Sequence, residues 1–200
     1  MSSVKDTASI FRYHRDMIEK HGTGNTSTLG WKAPENQKDR FKILATVADL
    51  NNHSVLDAGC GHGDLCEYLH KLYPDVKYMG MEQIPELLDV AVKRYNDWPE
   101  TTFMQGNFLS PAMPFTDYII VCGSLNYHHS DPEYIYKAIS KLYDNCRYAL
   151  AFNLLSNIAE NGLIMSYNKA HILSYCQTLS KNVILKDDYT DDDFTIFMYH

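Results

Sequence analysis

Three glycines at alternate positions, Gly59, Gly61 and Gly63, follow an acid, Asp57, at the end of an apolar run in "VLDAGCGHGDL". Glycine admits positive φ and leaves no Cβ between backbone and ligand. A helix beginning behind such a turn offers N–H groups that have no partner within the helix. The stretch is therefore a candidate cradle for a ligand, and a Cβ at Gly61 would occupy ligand space. A dinucleotide turn reads GxGxxG, with a ribose-reading acid about 20 residues further on. Here the third glycine comes one residue early and an acid precedes the turn.

The acid-x-Gly-x-Gly-x-Gly pattern resembles motif I of the class I S-adenosylmethionine-dependent methyltransferases. "YMGMEQ" then places Glu82, followed by Gln83, where that family carries an acid for the ribose hydroxyls. A carboxylate can accept from both hydroxyls. "MQGNFL" has Asn107 where the family commonly has an aspartate near the adenine amino group, and Phe108 would cover an adenine face. The apolar "DYIIVCGSLNY", with Gly123, matches the family's fourth strand and its following loop. The resemblance covers residues 53–155 firmly and implies S-adenosylmethionine as the cofactor. It assigns Asp57, Gly59, Cys60, Gly61, Glu82, Gln83, Asn107, Phe108 and Gly123 to cofactor binding. In several small-molecule members a Trp and then an Arg precede motif I, which points to Trp31 and Arg40 here. The guanidinium would pair bidentately with the cofactor carboxylate, and Trp31 would lie over the site or plug the core.

Methyl transfer asks the protein to align a nucleophile, exclude water and, where needed, take a proton. The loop after the fourth strand, "GSLNYHHSDP", supplies Asn126, Tyr127, His128 and His129. Tyr127, His128 and His129 are the catalytic candidates, the histidines because imidazole titrates near neutral pH. Adjacent histidines on an extended loop point apart and lack a third ligand, so no metal site is expected. The loop also lacks the Asn/Asp-Pro-Pro-Tyr/Phe of enzymes that methylate base amino groups. The later loop "NLLSNIAENGLIMSYNK" offers Asn153, Ile164, Met165 and Tyr167 as a substrate wall.

The elements that position these residues follow from periodicity. Residues 7–20 read as a helix with Ile10, Tyr13, Met17 and Ile18 on one side. Residues 21–33 read as a loop, and a second helix runs from Pro34 to about Leu50. From His53 onward short apolar runs alternate with amphipathic stretches, the mark of βαβ units with helices on both faces of a parallel sheet. "NVILKDD" and "FTIFMYH" follow each other with only a turn between, which implies an antiparallel edge. The expected fold is α/β: a doubly wound, Rossmann-like, seven-stranded, mostly parallel sheet with an antiparallel last strand. One domain spans 1–200, with a helical cap over 1–50 and the cofactor-binding core over 51–200.

Composition narrows the partners. The net charge of −7 argues against a nucleic-acid partner, which would favour a basic face. The five cysteines are scattered without a CxxC, so reduced thiols are expected rather than a disulfide framework or zinc site. No apolar run is long enough to span a bilayer, and the N-terminal stretch lacks a secretory h-region; the cytoplasm is the expected compartment. Taken with the family resemblance, which implies methyl transfer, these features lead to the expectation of methylation of an N or O atom of a small molecule. Methylation of RNA, DNA or protein, and cofactor binding without methyl transfer, are the rival readings. The sequence leaves the oligomeric state open.

The ribose assignment has a direct consequence. Glu82→Ala should weaken S-adenosylmethionine binding more than about tenfold, measured by titration calorimetry, because a charge-assisted contact is lost.

Overall fold

The computed structural model describes residues 4–31, 34–110, 113–157 and 162–200. Seven strands form one sheet: β1 Ser54–Ala58, β2 Lys77–Glu82, β3 Thr101–Gln105, β4 Thr116–Val121, β5 Cys146–Leu155, β6 Asn182–Lys186 and β7 Asp193–Tyr199. Their order is β3-β2-β1-β4-β5-β7-β6. β7 runs antiparallel to both β5 and β6, and the pairings among β1 to β5 are parallel. The mostly parallel sheet with an antiparallel last strand is the arrangement expected from the sequence.

Among the described residues six α-helices accompany the sheet: α1 Val4–His21, α2 Pro34–Leu44, α3 Asp64–Leu72, α4 Pro85–Tyr95, α5 Tyr134–Asp144 and α6 Lys169–Leu179. The period of two along the inner strands sorts their side chains onto two faces. Leu56, Ile119 and Val121 join one core with Ile135, Ile139 and Leu142 of α5 and Cys176 of α6. Val55, Tyr118 and Ile120 join the other, with Phe41 and Leu44 of α2 and Leu65 and Leu69 of α3. Both cores are built from residues with almost no exposure, so the inner strands read as continuous apolar runs.

The cap differs in detail from its sequence expectation. α1 buries Ile10 and His14, four residues apart on one face, rather than Tyr13 and Met17. The expected loop after it contains a short 3-10 turn, Thr26–Leu29, capped by the Asn25 side chain and closed by Gly30 at φ 83°. Gly22 and Gly24 also take positive φ, which lets the chain double back from α1 within a few residues. α2 stops at Leu44 and tightens into a 3-10 turn over Ala45–Val47, so the helix is shorter than the span to Leu50.

One buried ion pair ties this cap to the sheet. Arg40 of α2 donates through Nε to Asp193 of β7, and through Nη1 to the Asn36 carbonyl at 3.1 Å. Asp193 also receives Asn153 Nδ2 of β5 and the Tyr189 hydroxyl. Removing one partner of such a pair strands the other charge. Asp193→Ala should therefore cost about 3–5 kcal/mol of stability in a urea titration, whereas a surface change such as Lys71→Ala should move it by less than about 1 kcal/mol.

Candidate active site

The strand order reverses between β1 and β4, and the crevice beyond the carboxyl ends of strands at such a reversal is where open α/β sheets bind ligands. β1 ends there at Ala58, and Gly59, Gly61 and Gly63 follow with φ of 89°, 54° and 77°. All three lie in the left-handed region, where an L side chain is strained. The amides of Gly59 and Cys60 bond the Met81 carbonyl at 2.8 and 3.0 Å, which pins the turn to the end of β2.

Glu82, at that end, is buried and accepts from the Gly61 amide at 3.0 Å and the Ile84 amide at 2.9 Å. Burial raises its pKa and these backbone donors oppose the rise. Asp57 lies beneath the turn, fully enclosed, and accepts from the Tyr78 hydroxyl at 2.6 Å. Burial pushes the Asp57 carboxyl up to about 7, against the pull of Tyr78, and the neighbouring Glu82 adds to the rise. Cys60 turns its thiol toward Gly80, and burial holds the pKa of that thiol well above its ordinary value.

The adenine-side candidates divide. Gln83 and Asn107 meet through an amide contact of 3.1 Å. The Asn107 side-chain oxygen also accepts from the Leu109 amide at 2.8 Å, closing a local turn. The Phe108 ring lies in the core with Met81 and Met113, where apolar burial outweighs an open stacking face.

From the cap, Trp31 lies so close to Gly123 that a Cβ there would come within 3.0 Å of its ring. The Arg40 guanidinium lies over the Trp31 ring, 4.8 Å from its centroid. The structure therefore commits Arg40 to Trp31 and Asp193, where the sequence reading expects a pairing with the cofactor carboxylate. The space beside Gly61 is likewise taken from within the chain: a Cβ would meet Leu29 Cδ2 at 2.7 Å.

The catalytic candidates separate more sharply. Tyr127 packs with Ile10, Ile84 and Leu87, and its hydroxyl lies 2.6 Å from His14 Nε2. Burial, with a further contribution from Glu82, raises the pKa of this hydroxyl. His128 is exposed and is held by its backbone amide on the Leu163 carbonyl. His129 stacks on Tyr134 at 3.3 Å and lies 3.8 Å from Asp6, and burial lowers its pKa to about 4. The sequence proximity of the three does not survive folding: one enters the cap interface and the histidines turn to α1, α5 and solvent.

Residues of the proposed substrate wall are mostly committed to backbone order. Asn153 accepts from the Gly123 amide at 2.9 Å. Ile164 bridges Tyr127, Met165 bonds Asn126, and the Tyr167 hydroxyl donates to the Leu125 carbonyl. Residues 158–161 of this wall lie outside the described residues.

Two residues that the sequence reading does not assign to the site are central to it. His14 is one, and its i+4 relation to Ile10 was the available signal. His62, between two of the glycines, is the other. Its Nε2 faces the Thr28 hydroxyl at 3.3 Å, and its Nδ1 is buried with no protein partner among the described residues. The Thr28 hydroxyl donates to the Asn25 carbonyl, so it accepts from Nε2–H and leaves Nδ1 as a bare acceptor. Burial lowers the His62 pKa to about 4, which keeps that lone pair available.

The methyltransferase-domain family model matches residues 55–148, the segment that runs from β1 through the glycine turn and Glu82 into β5. Over those residues the chain matches a methyltransferase domain, and its fold is that of S-adenosylmethionine-dependent methyltransferases. Solved methyltransferases share the fold of this chain over nearly its whole length. Magnesium protoporphyrin IX methyltransferase from Synechocystis PCC 6803 aligns with a TM-score of 0.72 at 14% identity, covering 97% of this chain and 99% of that one. The N-methyltransferase NodS from Bradyrhizobium japonicum WM9 aligns with a TM-score of 0.68 at 14% identity, covering 96% and 98%. An O-methyltransferase family protein from Burkholderia thailandensis aligns with a TM-score of 0.72 at 10% identity, covering 98% and 67%. A sequence search of curated proteins gives no match. The donor set suits S-adenosylmethionine: a buried carboxylate at the end of β2, a turn with glycine at alternate positions, and the bare His62 acceptor within it.

The Asp57 carboxyl gives a pH signature in the ligand-free protein. Its folded pKa lies above its unfolded value of 3.8, so the folded state holds the extra proton between about 4 and 7. Stability contributed by this group is complete below about pH 4 and is lost as pH rises through 7. Asp57→Asn should match the wild type near pH 4 and exceed it at pH 8 by up to about 4 kcal/mol, read from denaturant midpoints across pH.

Proposed function

We propose that the chain is an S-adenosylmethionine-dependent methyltransferase that acts on a nitrogen or oxygen of a small molecule. The observation that carries this reading is the cap. Residues from α1 and the Thr26–Leu29 turn lie directly on Gly61 and Tyr127, so the carboxyl ends of β1, β2 and β4 are roofed by the chain itself. A roof of this kind favours an acceptor that can be enclosed over one that must stay attached to a polymer. The net charge of −7 and the absence of an Asn/Asp-Pro-Pro sequence after β4 point the same way. Among the fold neighbours are an N-methyltransferase and a porphyrin methyltransferase, which supports acceptors of low molecular weight.

In this reading Glu82 holds the ribose hydroxyls and the backbone at Gly59, Cys60 and Gly61 follows the methionine part, with Asp57 supporting the turn from below. Gln83 and Asn107 border the adenine, and Phe108 backs them from the core. Trp31 and Gly123 close the far side. Arg40 acts through Trp31 by holding its ring. When bound, S-adenosylmethionine supplies a methyl group on a sulfonium, a leaving group already activated by its charge. The chain's residues then have to exclude water, align the acceptor and accept its proton. The thiols of Cys60, Cys66, Cys122, Cys146 and Cys176 are all unpaired, which supports a reducing, cytoplasmic setting.

The test is an acceptor screen with methyl-labelled S-adenosylmethionine. The full chain is offered pooled small amines, phenols and hydroxy acids beside total RNA, DNA and denatured protein. Label should appear in a low-molecular-weight product; label confined to a polymer fraction would overturn the small-molecule reading.

A further inference from the structure

We propose that Tyr127 and His14 form a proton relay that receives the proton lost by the methyl acceptor. The inference rests on the reading above in one respect, that the acceptor carries an N–H or O–H. Its geometry is independent of that reading. His14 is 3% exposed on the inner face of α1, and its Nδ1 lies 2.7 Å from the Thr28 carbonyl. A carbonyl only accepts, so Nδ1 carries the hydrogen and donates it. In the neutral ring, Nε2 then bears the lone pair, and the Tyr127 hydroxyl at 2.6 Å donates to it. The order Tyr127 O–H to Nε2, and Nδ1–H to Thr28 O, is a general base whose far nitrogen is fixed by a backbone acceptor.

The position suits the task. Tyr127 follows β4 at the reversal of strand order, and Glu82 lies near enough to act on its hydroxyl. His128 and His129, by contrast, are exposed or stacked away on Tyr134. In the step itself the acceptor's X–H bond breaks and its electron pair stays on X. Its proton goes to the Tyr127 oxygen while the Tyr127 proton moves to His14 Nε2. The relay ends with neutral Tyr127 and a His14 imidazolium, which returns one proton to solvent. Tyr127 is the catalytic residue that meets the acceptor, and His14 is a positioning and proton-holding residue that acts through it.

The groups around His14 set the sign of its pH dependence. Tyr13 packs edge-on at 5.1 Å from the same helix, and His62 approaches from the glycine turn through the shared Thr28. Glu82 faces Tyr127 from the end of β2, and Arg15, next in α1, is paired outward with Glu86. Burial lowers the His14 pKa below 6.5, opposed by the Thr28 contact, so the ring is a neutral base at pH 7. The relay is lost as pH falls through that lowered value.

The test has two independent readouts. Histidine-selective nitrogen NMR on the ligand-free full chain should show His14 as the Nδ1–H tautomer. Tyr127→Phe, which removes only the hydroxyl, should raise the His14 pKa. An Nε2–H tautomer would overturn the relay whatever the acceptor proves to be. With the acceptor from the screen, Tyr127→Phe and His14→Gln should each lower kcat about 100-fold, leave the KM for S-adenosylmethionine within about twofold, and remove the acid limb of the pH–kcat profile. Unchanged kcat in Tyr127→Phe, or an acid limb that persists in it, would overturn the proposal; that variant decides should His14→Gln fail to fold. Methylation at a nitrogen or oxygen that bears no proton would overturn the relay's role and leave the N/O reading standing, whereas methylation at carbon would sink the N/O reading; the NMR result reports on the dyad in either case.

Discussion

Two carboxylates lie buried at the ends of neighbouring strands, Asp57 in β1 and Glu82 at the last position of β2, and much of the local architecture answers the need to accommodate them. In a medium of low polarizability an ionised carboxylate without donors costs several kcal/mol. Tyr78 supplies a donor to Asp57, and the amides of Gly61 and Ile84 supply donors to Glu82. The second contact constrains the chain most. To present its amide to Glu82, residue 61 takes φ of 54° in a turn flanked by two further left-handed residues. The alternating glycines are thus required by the backbone path before any ligand is considered. The same path delivers Asp64 to the start of α3 with the helix's free amides behind the turn.

The cap completes what the sheet leaves open. Its residues do not rest on a flat surface: Leu29 fills the space left by the missing side chain of Gly61, and Trp31 does the same at Gly123. Glycine therefore serves close approach twice, once for the turn's own conformation and once for packing by the N-terminal segment. Arg40 fixes the second helix of this cap through Asp193, so the position of Trp31 depends on an ion pair made with the last strand of the sheet. A residue near the start of the chain and one near its end together hold a ring over the loop after β4.

The sheet and its helices were legible because strand and helix periods differ, and because the inner strands carry apolar residues on both faces. The glycine turn and Glu82 were legible because backbone conformation and strand-end position are local properties. Phe108 was not, since a lone aromatic after a strand does not say whether it turns to an open crevice or to Met81 and Met113. Arg40 and Asp193 are 153 positions apart, and no local pattern links them. His14 and Tyr127 are separated by 113 positions, and their contact exists only because α1 folds back over β4's exit. The adjacent histidines His128 and His129 attracted attention by type, but an extended loop sends consecutive side chains in different directions.

That separation bears on where acceptor chemistry is encoded. The donor half of a methyl transfer needs only a turn, a carboxylate and a crevice, all supplied within the span from β1 to β3. The acceptor half needs a proton sink in a place that water does not reach, and the sheet's loops alone do not offer one. His14 becomes a neutral base because α1 buries it, Thr28 fixes its tautomer, and Tyr127 from the β4 loop reaches its free lone pair. Each of the three comes from a different element, and each has its role only when the cap is seated. A chain can thus keep a fixed cofactor cradle while changing its acceptor through the cap, because the two are built from different stretches of sequence and meet at Gly61 and Tyr127.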